Sequence, residues 1–368
     1  MTDGKTSRQL TPPGSPARDT AAIILAAGKS TRMKIDLPKV MQEICGRPML
    51  AYVFDACRGA DISRLHVVVG FGKEAITKAF STEPGIRFVE QAEQNGTGHA
   101  VAMCADDFTG FVGDVIVIAG DMPMIRSQTL RTLLDGHRAS ASEASIATTF
   151  LNDPTGYGRI VRDADGQFQR IVEHRDCDSE HLKIMEVNPS YYCFDAQALF
   201  KALPEIKPDN AKGELYLTDV LPIISRRGRP VRAATCVPAD DAVGINSPAE
   251  LAMVAGLMHR RIQQDWMAQG VTIIDPQNTW IVARARIGPQ TVIKPFTCIE
   301  GNAQVGSACT VGPFSYLAAG TLVEDGTQTG PGVLSALDTA GPGRRQNNPG
   351  NKPEGPVVRR PPARTGCP

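Results

Sequence analysis

The chain has 368 residues, enough for two domains or for one large domain with an appendage. Its 39 basic and 39 acidic side chains cancel, which excludes a global attraction to nucleic acid or to an anionic membrane surface, so any phosphate binding has to be local. Mean hydropathy of -0.15 and the lack of a long apolar run exclude a membrane-spanning reading.

Residues 1–20 are rich in Ser, Thr, Pro and Arg without an apolar core and read as a disordered extension. Short apolar runs follow at Ala21 to Ala26, Leu65 to Val69, Val115 to Ala119 and Ala144 to Phe150, each closed by Gly, Asp or polar residues. They read as buried strands. Helical periodicity at Met49 to Arg58 and Ser127 to Arg138 alternates with them, which predicts an α/β domain with a mostly parallel sheet covered on both faces. Ligands of such sheets gather at the carboxyl ends of the strands.

Nine cysteines occur without C-x-x-C spacing, which argues against a zinc site or a disulfide framework and for free thiols in a reducing, cytoplasmic compartment. From Pro248 the sequence turns helical, with Leu251, Val254, Leu257 and Met258 on one face, and residues 248–270 read as a linker helix after a domain over 21–247. Then the period changes. Ile281, Ile287, Ile293, Ile299, Val305, Val311, Leu317 and Val323 recur at intervals of six, with small residues between them at Thr291, Thr297, Ala303, Cys309, Ser315, Thr321 and Thr327. A hexad of this kind predicts a short β-helix over 271–329. The Pro, Gly and Arg content of 330–368 predicts a disordered tail.

The sharpest chemistry follows the first apolar run: Leu25, Ala26, Ala27, Gly28, Lys29, Ser30, Thr31, Arg32 and Met33, then Leu37, Pro38 and Lys39. Small residues let backbone N–H groups approach a polyphosphate, and Arg32 and Lys39 supply cations for its charge. Neither a Walker pattern nor a dinucleotide fingerprint is present, and a Gly-Lys-Ser-Thr run alone would also serve as a solvated basic turn.

With Pro38 and Lys39 added, the segment resembles the sugar nucleotidyltransferases, and most closely the uridyltransferase domain of the bacterial bifunctional N-acetylglucosamine-1-phosphate uridyltransferase/acetyltransferase family. Ser30 stands where that family usually has Gly. The resemblance implies a Rossmann-like nucleotidyltransferase domain followed by a left-handed β-helix. It also implies that Leu25, Ala26, Ala27 and Gly28 line the nucleotide, that Arg32 meets the triphosphate, and that Lys39 meets the α-phosphate region.

A second block, Gln91 to Ala100, resembles the family's uracil-reading segment. There Gln91 and Gln94 offer amides to a pyrimidine edge, and Gly96 and Thr97 let the backbone come near the base. A third, Ile118 to Pro123, places Gly120 and Asp121 after an apolar run. Alone, Asp121 could equally be a turn or cap residue; by resemblance it is a Mg²⁺ ligand together with Asn246, since Mg²⁺ takes one or two protein oxygens and completes its shell with phosphate and water. Ala119 replaces a Tyr found in many relatives. On the sugar side the resemblance implies that Gly158 presents its backbone, and that Glu173 and Asn188 hydrogen-bond the sugar's hydroxyl and acetamido groups. Pro189 and Ser190 depart from the family pattern there.

The implied reaction joins UTP to N-acetylglucosamine 1-phosphate with Mg²⁺ and releases pyrophosphate. Another sugar phosphate, another nucleotide, or a non-catalytic nucleotide-sugar scaffold are the competing readings. The acetyl-transfer residues of the family's later coils are not found, and Ala318 stands where relatives carry a substrate-binding Arg, so no acetyltransferase activity is expected. The resemblance to a family whose longer left-handed β-helices trimerise makes a homotrimer through this segment the expectation.

Overall fold

The computed structural model describes residues 18–29, 33, 36–330 and 357–358. Most of the expected N-terminal extension and C-terminal tail, together with Ser30, Thr31 and Arg32, lies outside the described residues. The chain forms two compact units. Among the described residues, one comprises 18–28, 56–119 and 126–239, and the other 29, 33, 36–55, 120–125, 240–330 and 357–358.

The first unit is built on one sheet. Its strands are β1 (Asp19–Ala26), and later β4 (Arg64–Val69), β5 (Ile86–Glu90), β6 (Gly113–Ala119), β7 (Ala144–Phe150), β8 (Gly158–Arg162), β9 (Phe168–Val172), β10 (Glu186–Asp195) and β11 (Val231–Thr235). The order is β11-β7-β10-β6-β1-β4-β5, with β8 joining β10 to β9. Strands β6, β1, β4 and β5 run parallel, with Leu25 opposite Ala119 and Ala26 opposite Val69, so their carboxyl ends share one edge. Strand β1 begins at Asp19, two residues earlier than its apolar run, because Arg18 pairs with the buried Asp114 at the start of β6.

Helices α3 (Thr97–Ala102), α5 (Ala196–Ala202) and α6 (Val220–Arg226) join one core with Ile23, Val115, Val117, Ile146 and Phe194. The alternate residues Ala22, Ile24, Ile116 and Ile118 are equally buried and point to the opposite face, as a two-residue period demands. Helix α4 (Ser127–Ala139) buries Leu130, Leu133 and Leu134; α1 (Met49–Gly59) and α2 (Lys73–Ala79) follow strands in the expected alternation. Along the path from β11 to β5 only β10 departs from parallel order, antiparallel to both β6 and β7, and off that path β8 is antiparallel to both β10 and β9. Strand β10 interrupts what the apolar runs alone suggest, because strand direction leaves no mark on hydrophobic pattern.

The second unit contains the short hairpin β2 (Glu43–Ile44) and β3 (Arg47–Pro48), helix α7 (Pro248–Ala268) and a parallel β-helix. Ser247 caps α7 by accepting the Glu250 N–H at 3.3 Å. The β-helix has three short sheets: β12 (Thr272–Ile273), β15 (Val292–Ile293) and β18 (Thr310–Val311); β13 (Thr279–Ile281), β16 (Thr297–Ile299) and β19 (Tyr316–Leu317); and β14 (Arg286–Ile287), β17 (Gln304–Val305) and β20 (Leu322–Val323). The backbone of β21 (Val357–Val358) pairs in parallel with β20.

Every aliphatic hexad residue from Ile281 to Val323 is at most 6% exposed, and the small residues Thr291, Thr297, Ala303, Cys309, Ser315, Thr321 and Thr327 are buried as well. Each small residue follows a left-handed corner, at Gln290, Phe296, Asn302, Ala308, Phe314, Gly320 and Gly326, where φ runs from 53° to 79°. For a non-glycine residue this conformation costs about 1 kcal/mol, a cost that the glycine corners Gly320 and Gly326 escape and that burial of the aliphatic residue, about 1.5–3 kcal/mol each, offsets at the others.

His259 on α7 joins the helix to the first coil. Its Nε2 accepts the Ile281 N–H at 3.2 Å, and its ring stacks on Trp280 with centroids 4.3 Å apart. Burial pushes the imidazole below its ordinary value, against a smaller opposing hydrogen bond to the Thr279 backbone. A depressed folded-state value stabilises the fold above the unfolded value of about 6.5, and this stabilisation is lost as pH falls through it. Urea unfolding between about pH 7.5 and 5.5 should therefore show stability decreasing with acid, with a shallower slope for His259→Gln. An identical slope in the variant would remove His259 from this role.

Candidate active site

At the carboxyl ends of β1, β4 and β5, three loops meet around Gly70. A Cβ at that position would lie 2.8 Å from the Ala27 carbonyl oxygen, 2.8 Å from Gln94 Nε2 and 2.9 Å from the Gln91 carbonyl oxygen. The Phe71 N–H donates to Ala27 O at 3.2 Å, and the Gln91 N–H to Val69 O at 2.8 Å. Thus the first phosphate-loop residues and the Gln91 block, far apart in sequence, share one edge. Leu25 is half-buried, Ala26 and Ala27 are buried, and Gly28 is exposed.

Gln91 is buried, and its Nε2 donates to Gly96 O at 3.1 Å while lying 3.0 Å from His99 Nδ1. These contacts leave the Gln91 Oε1 as the acceptor able to meet an N–H of a base. Gln94 is exposed and donates to Gln91 O at 3.3 Å. Gly96 has φ +106°, and a Cβ there would lie 2.5 Å from Leu215 O, so a bare backbone is required. Thr97 Oγ1 accepts the Leu217 N–H at 3.0 Å and Gly98 N–H donates to Leu215 O at 2.8 Å, which pins the block to the Asn210 to Thr218 segment.

Gly158, Glu173 and Asn188 also come together. Asn188 is the register partner of Gly158 across β10 and β8. A Cβ on Gly158 would lie 3.4 Å from Glu173 Oε1. Burial pushes the Glu173 carboxyl up; Asp176 and Asp219 add to this, while Lys212 and the Thr218 hydroxyl oppose it. Burial, then Asp176, likewise raises Asp219. Asn188 is almost wholly enclosed: its Nδ2 donates to the Tyr192 hydroxyl at 2.6 Å and its Oδ1 accepts the Ser190 N–H at 3.0 Å. Only one amide N–H and one lone pair remain for a ligand. The β10 register shifts between Val187 and Tyr191, where Ser190 takes φ +66°, a conformation that favours glycine, and nothing in the structure explains the Ser.

The second unit holds its own cluster. Lys39 opens a single 3-10 turn, Lys39–Met41, set by Pro38. Its Nζ donates to Asp121 Oδ2 and, at 3.0 Å, to Asn246 Oδ1. Asp121 follows the buried Gly120, and its carbonyl accepts the Ile245 N–H at 3.4 Å. Asn246 is fixed by Glu250, whose Oε2 accepts the Asn246 N–H at 2.7 Å and the Ser247 hydroxyl at 3.0 Å. This is a capping box at the start of α7. Its Ser-x-x-Glu signature was readable in the sequence; Gly70, Tyr192 and Thr218 carried no such local signal.

Two hard oxygens converging on one cation are the donor set a Mg²⁺ ion accepts, and the Lys39 ammonium stands in for such an ion. Among the described residues no group of three or more His, Cys, Asp or Glu side chains is placed to hold a metal. Arg32 lies outside the described residues.

Gly70→Ala should displace the Ala27 and Gln91 loops at a stability cost of about 1–3 kcal/mol and lower kcat/KM for nucleotide at least about tenfold. Thermal unfolding and steady-state kinetics check this; an unaltered KM and melting temperature would show that the loops tolerate separation.

Residues 22–213 match the model of the MobA-like NTP transferase domain. The bifunctional protein GlmU of Shouchella clausii is 43% identical over 280 residues, spanning 76% of this chain and 61% of the relative. That of Clostridium perfringens is 43% identical over 274 residues, spanning 74% and 60%, and that of Clostridium acetobutylicum 41% identical over 281 residues, spanning 76% and 61%. The chain thus covers less than two thirds of these relatives' length. A solved structure described as a candidate glucose-1-phosphate thymidylyltransferase from Bacillus anthracis, in complex with a sucrose, shares the fold with a TM-score of 0.54 at 20% identity, over 65% of this chain and 94% of the other. With the family model matched over more than half of its length, and an open, mostly parallel sheet that agrees with it, this protein belongs to the MobA-like NTP transferase domain family and is a nucleotidyltransferase.

Proposed function

We propose that the chain transfers UMP from UTP to N-acetylglucosamine 1-phosphate with Mg²⁺, giving UDP-N-acetylglucosamine and pyrophosphate. The observation that carries this reading is the meeting of Lys39, Asp121 and Asn246, separated by 82 and 207 positions from Lys39, around one cation. The attacking sugar phosphate is already anionic, so the protein needs no general base; it has to align two phosphates and neutralise the charge between them. Asp121 and Asn246 hold Mg²⁺ in this reading, and the bound ion supplies charge neutralisation at the phosphates. Lys39 supplies a second cation and Arg32 a third. Gln91, Gln94, Gly96 and Thr97 read the base, and Gly158, Glu173 and Asn188 receive the sugar. The identity to bifunctional GlmU proteins supports the choice of UTP and the acetamido sugar.

Ala318 in place of the expected Arg supports a chain that does not transfer acetyl groups. Among the described residues, no helix is long and apolar enough to cross a membrane. An exposed apolar column on the β-helix supports assembly with further copies, as a trimer: Phe296 and Phe314 are 53% and 61% exposed and stack with centroids 4.9 Å apart, beside the exposed Trp280 and Tyr316.

Pyrophosphate release from UTP, N-acetylglucosamine 1-phosphate and Mg²⁺ is the direct test. Asp121→Ala should lower kcat/KM at least about a hundredfold, and equal turnover in the variant would end the reading. With Glu173 held above the usual carboxylate range, KM for the sugar phosphate should rise as pH falls toward that raised value, while Glu173→Gln should bind weakly and retain only the titration of the sugar phosphate itself. Matching pH profiles would exclude Glu173 from sugar binding. Sedimentation velocity should show a trimer that Phe296→Glu with Phe314→Glu dissociates; a monomeric parent chain would refute the assembly.

A further inference from the structure

The Lys39 ammonium occupies the same two oxygens, Asp121 Oδ2 and Asn246 Oδ1, that the proposed reaction gives to a divalent ion. The backbone that carries the two oxygens is held in place, whereas the ammonium sits at the end of a long side chain. Asp121 is held through its carbonyl by the Ile245 N–H, and Asn246 through its N–H by Glu250 inside the α7 capping box. Lys39 reaches them on a flexible four-carbon stem from a single turn of helix, and its side chain is only partly enclosed, at 15% exposure. A divalent ion binds such oxygens at about 2.0–2.1 Å, and an ammonium in hydrogen-bond contact with the same atoms leaves it no room and repels it.

Departure of the ammonium alone would forfeit two charge-assisted hydrogen bonds in a partly enclosed place. It becomes favourable when an anion receives the ammonium, and a nucleoside triphosphate brings both the anion and further oxygens for the ion. We infer that Lys39 is a built-in placeholder cation that closes the Asp121–Asn246 pair to divalent ions until a nucleotide draws it onto the phosphates. This rests on the reading of Asp121 and Asn246 as metal ligands. It gives Lys39 two positions, one on the ligands in the free protein and one on the nucleotide. It also couples metal entry to nucleotide arrival, because each ligand removes a cost the other would otherwise meet.

The test is Mn²⁺ affinity without nucleotide, read from the electron paramagnetic resonance signal of free Mn²⁺. The parent chain should bind weakly. Lys39→Met and Lys39→Gln should each bind at least about tenfold more tightly, as removal of one charged hydrogen-bonding competitor requires. The gain should persist at about 0.5 M potassium chloride, where repulsion between charges not in contact is strongly screened. Asp121→Asn placed in the Lys39→Met chain should abolish it. Equal or weaker Mn²⁺ binding in both Lys39 variants, or a gain that salt removes, overturns the placeholder. A gain that survives Asp121→Asn instead overturns the metal assignment on which the placeholder rests.

Discussion

The hydrogen-bonded meeting of Lys39 with Asp121 and Asn246 is the contact from which the chemistry follows. Each partner is delivered by a different local device: a proline-set turn for Lys39, the end of a buried parallel strand for Asp121, and the capping box of α7 for Asn246. None of these devices is unusual alone. Together they bring two acceptor oxygens onto one side-chain cation carried by a flexible stem. Glu250 matters here too, since its carboxylate accepts the Asn246 N–H just before the Ser247 cap of α7.

In the sheet-based unit the decisive constraint is close backbone approach. Gly70 lies where three loops leave no space for a Cβ, and Gly96 takes a conformation that a side chain would strain against Leu215. Backbone groups at strand ends can then line a ligand without side chains intervening. The cluster of Gly158, Glu173 and Asn188 obeys a different logic. Glu173 is kept high by burial beside two further carboxylates, and Asn188 spends half of its side-chain hydrogen-bonding capacity on Tyr192 and Ser190. Asn188 therefore shapes that place as a rigid element, held before any ligand arrives.

The β-helix is stabilised by repetition. Each hexad buries one aliphatic and one small side chain, and each corner between them takes a left-handed residue. Parallel partners are eighteen residues apart along most of the array, and twenty in the first coil, where β12 pairs with β15. The extra pair of residues falls at the Asp275 to Asn278 turn, where the Asp275 side chain accepts backbone N–H groups. Corners at Phe296 and Phe314 carry large side chains that burial does not need, and their parallel stacking leaves an apolar column on the surface.

What the sequence determined by itself was everything carried by a local period or a local motif. The apolar runs placed β1, β4, β6 and β7 within two residues, and every residue the hexad named, from Ile281 to Thr327, is buried, because side-chain direction repeats every two or six positions regardless of distant neighbours. The residue types around Gly28, Gln91 and Asp121 raised the expectation of phosphate and base chemistry through local motifs and the resemblance they carry. Tertiary structure alone decided the antiparallel direction of β10, the crowding at Gly70, the consumption of Asn188 by Tyr192, and the contact of Lys39 with oxygens 82 and 207 positions away. Such pairings depend on how connections cross between elements, and a crossing leaves no periodic trace in the residues it joins.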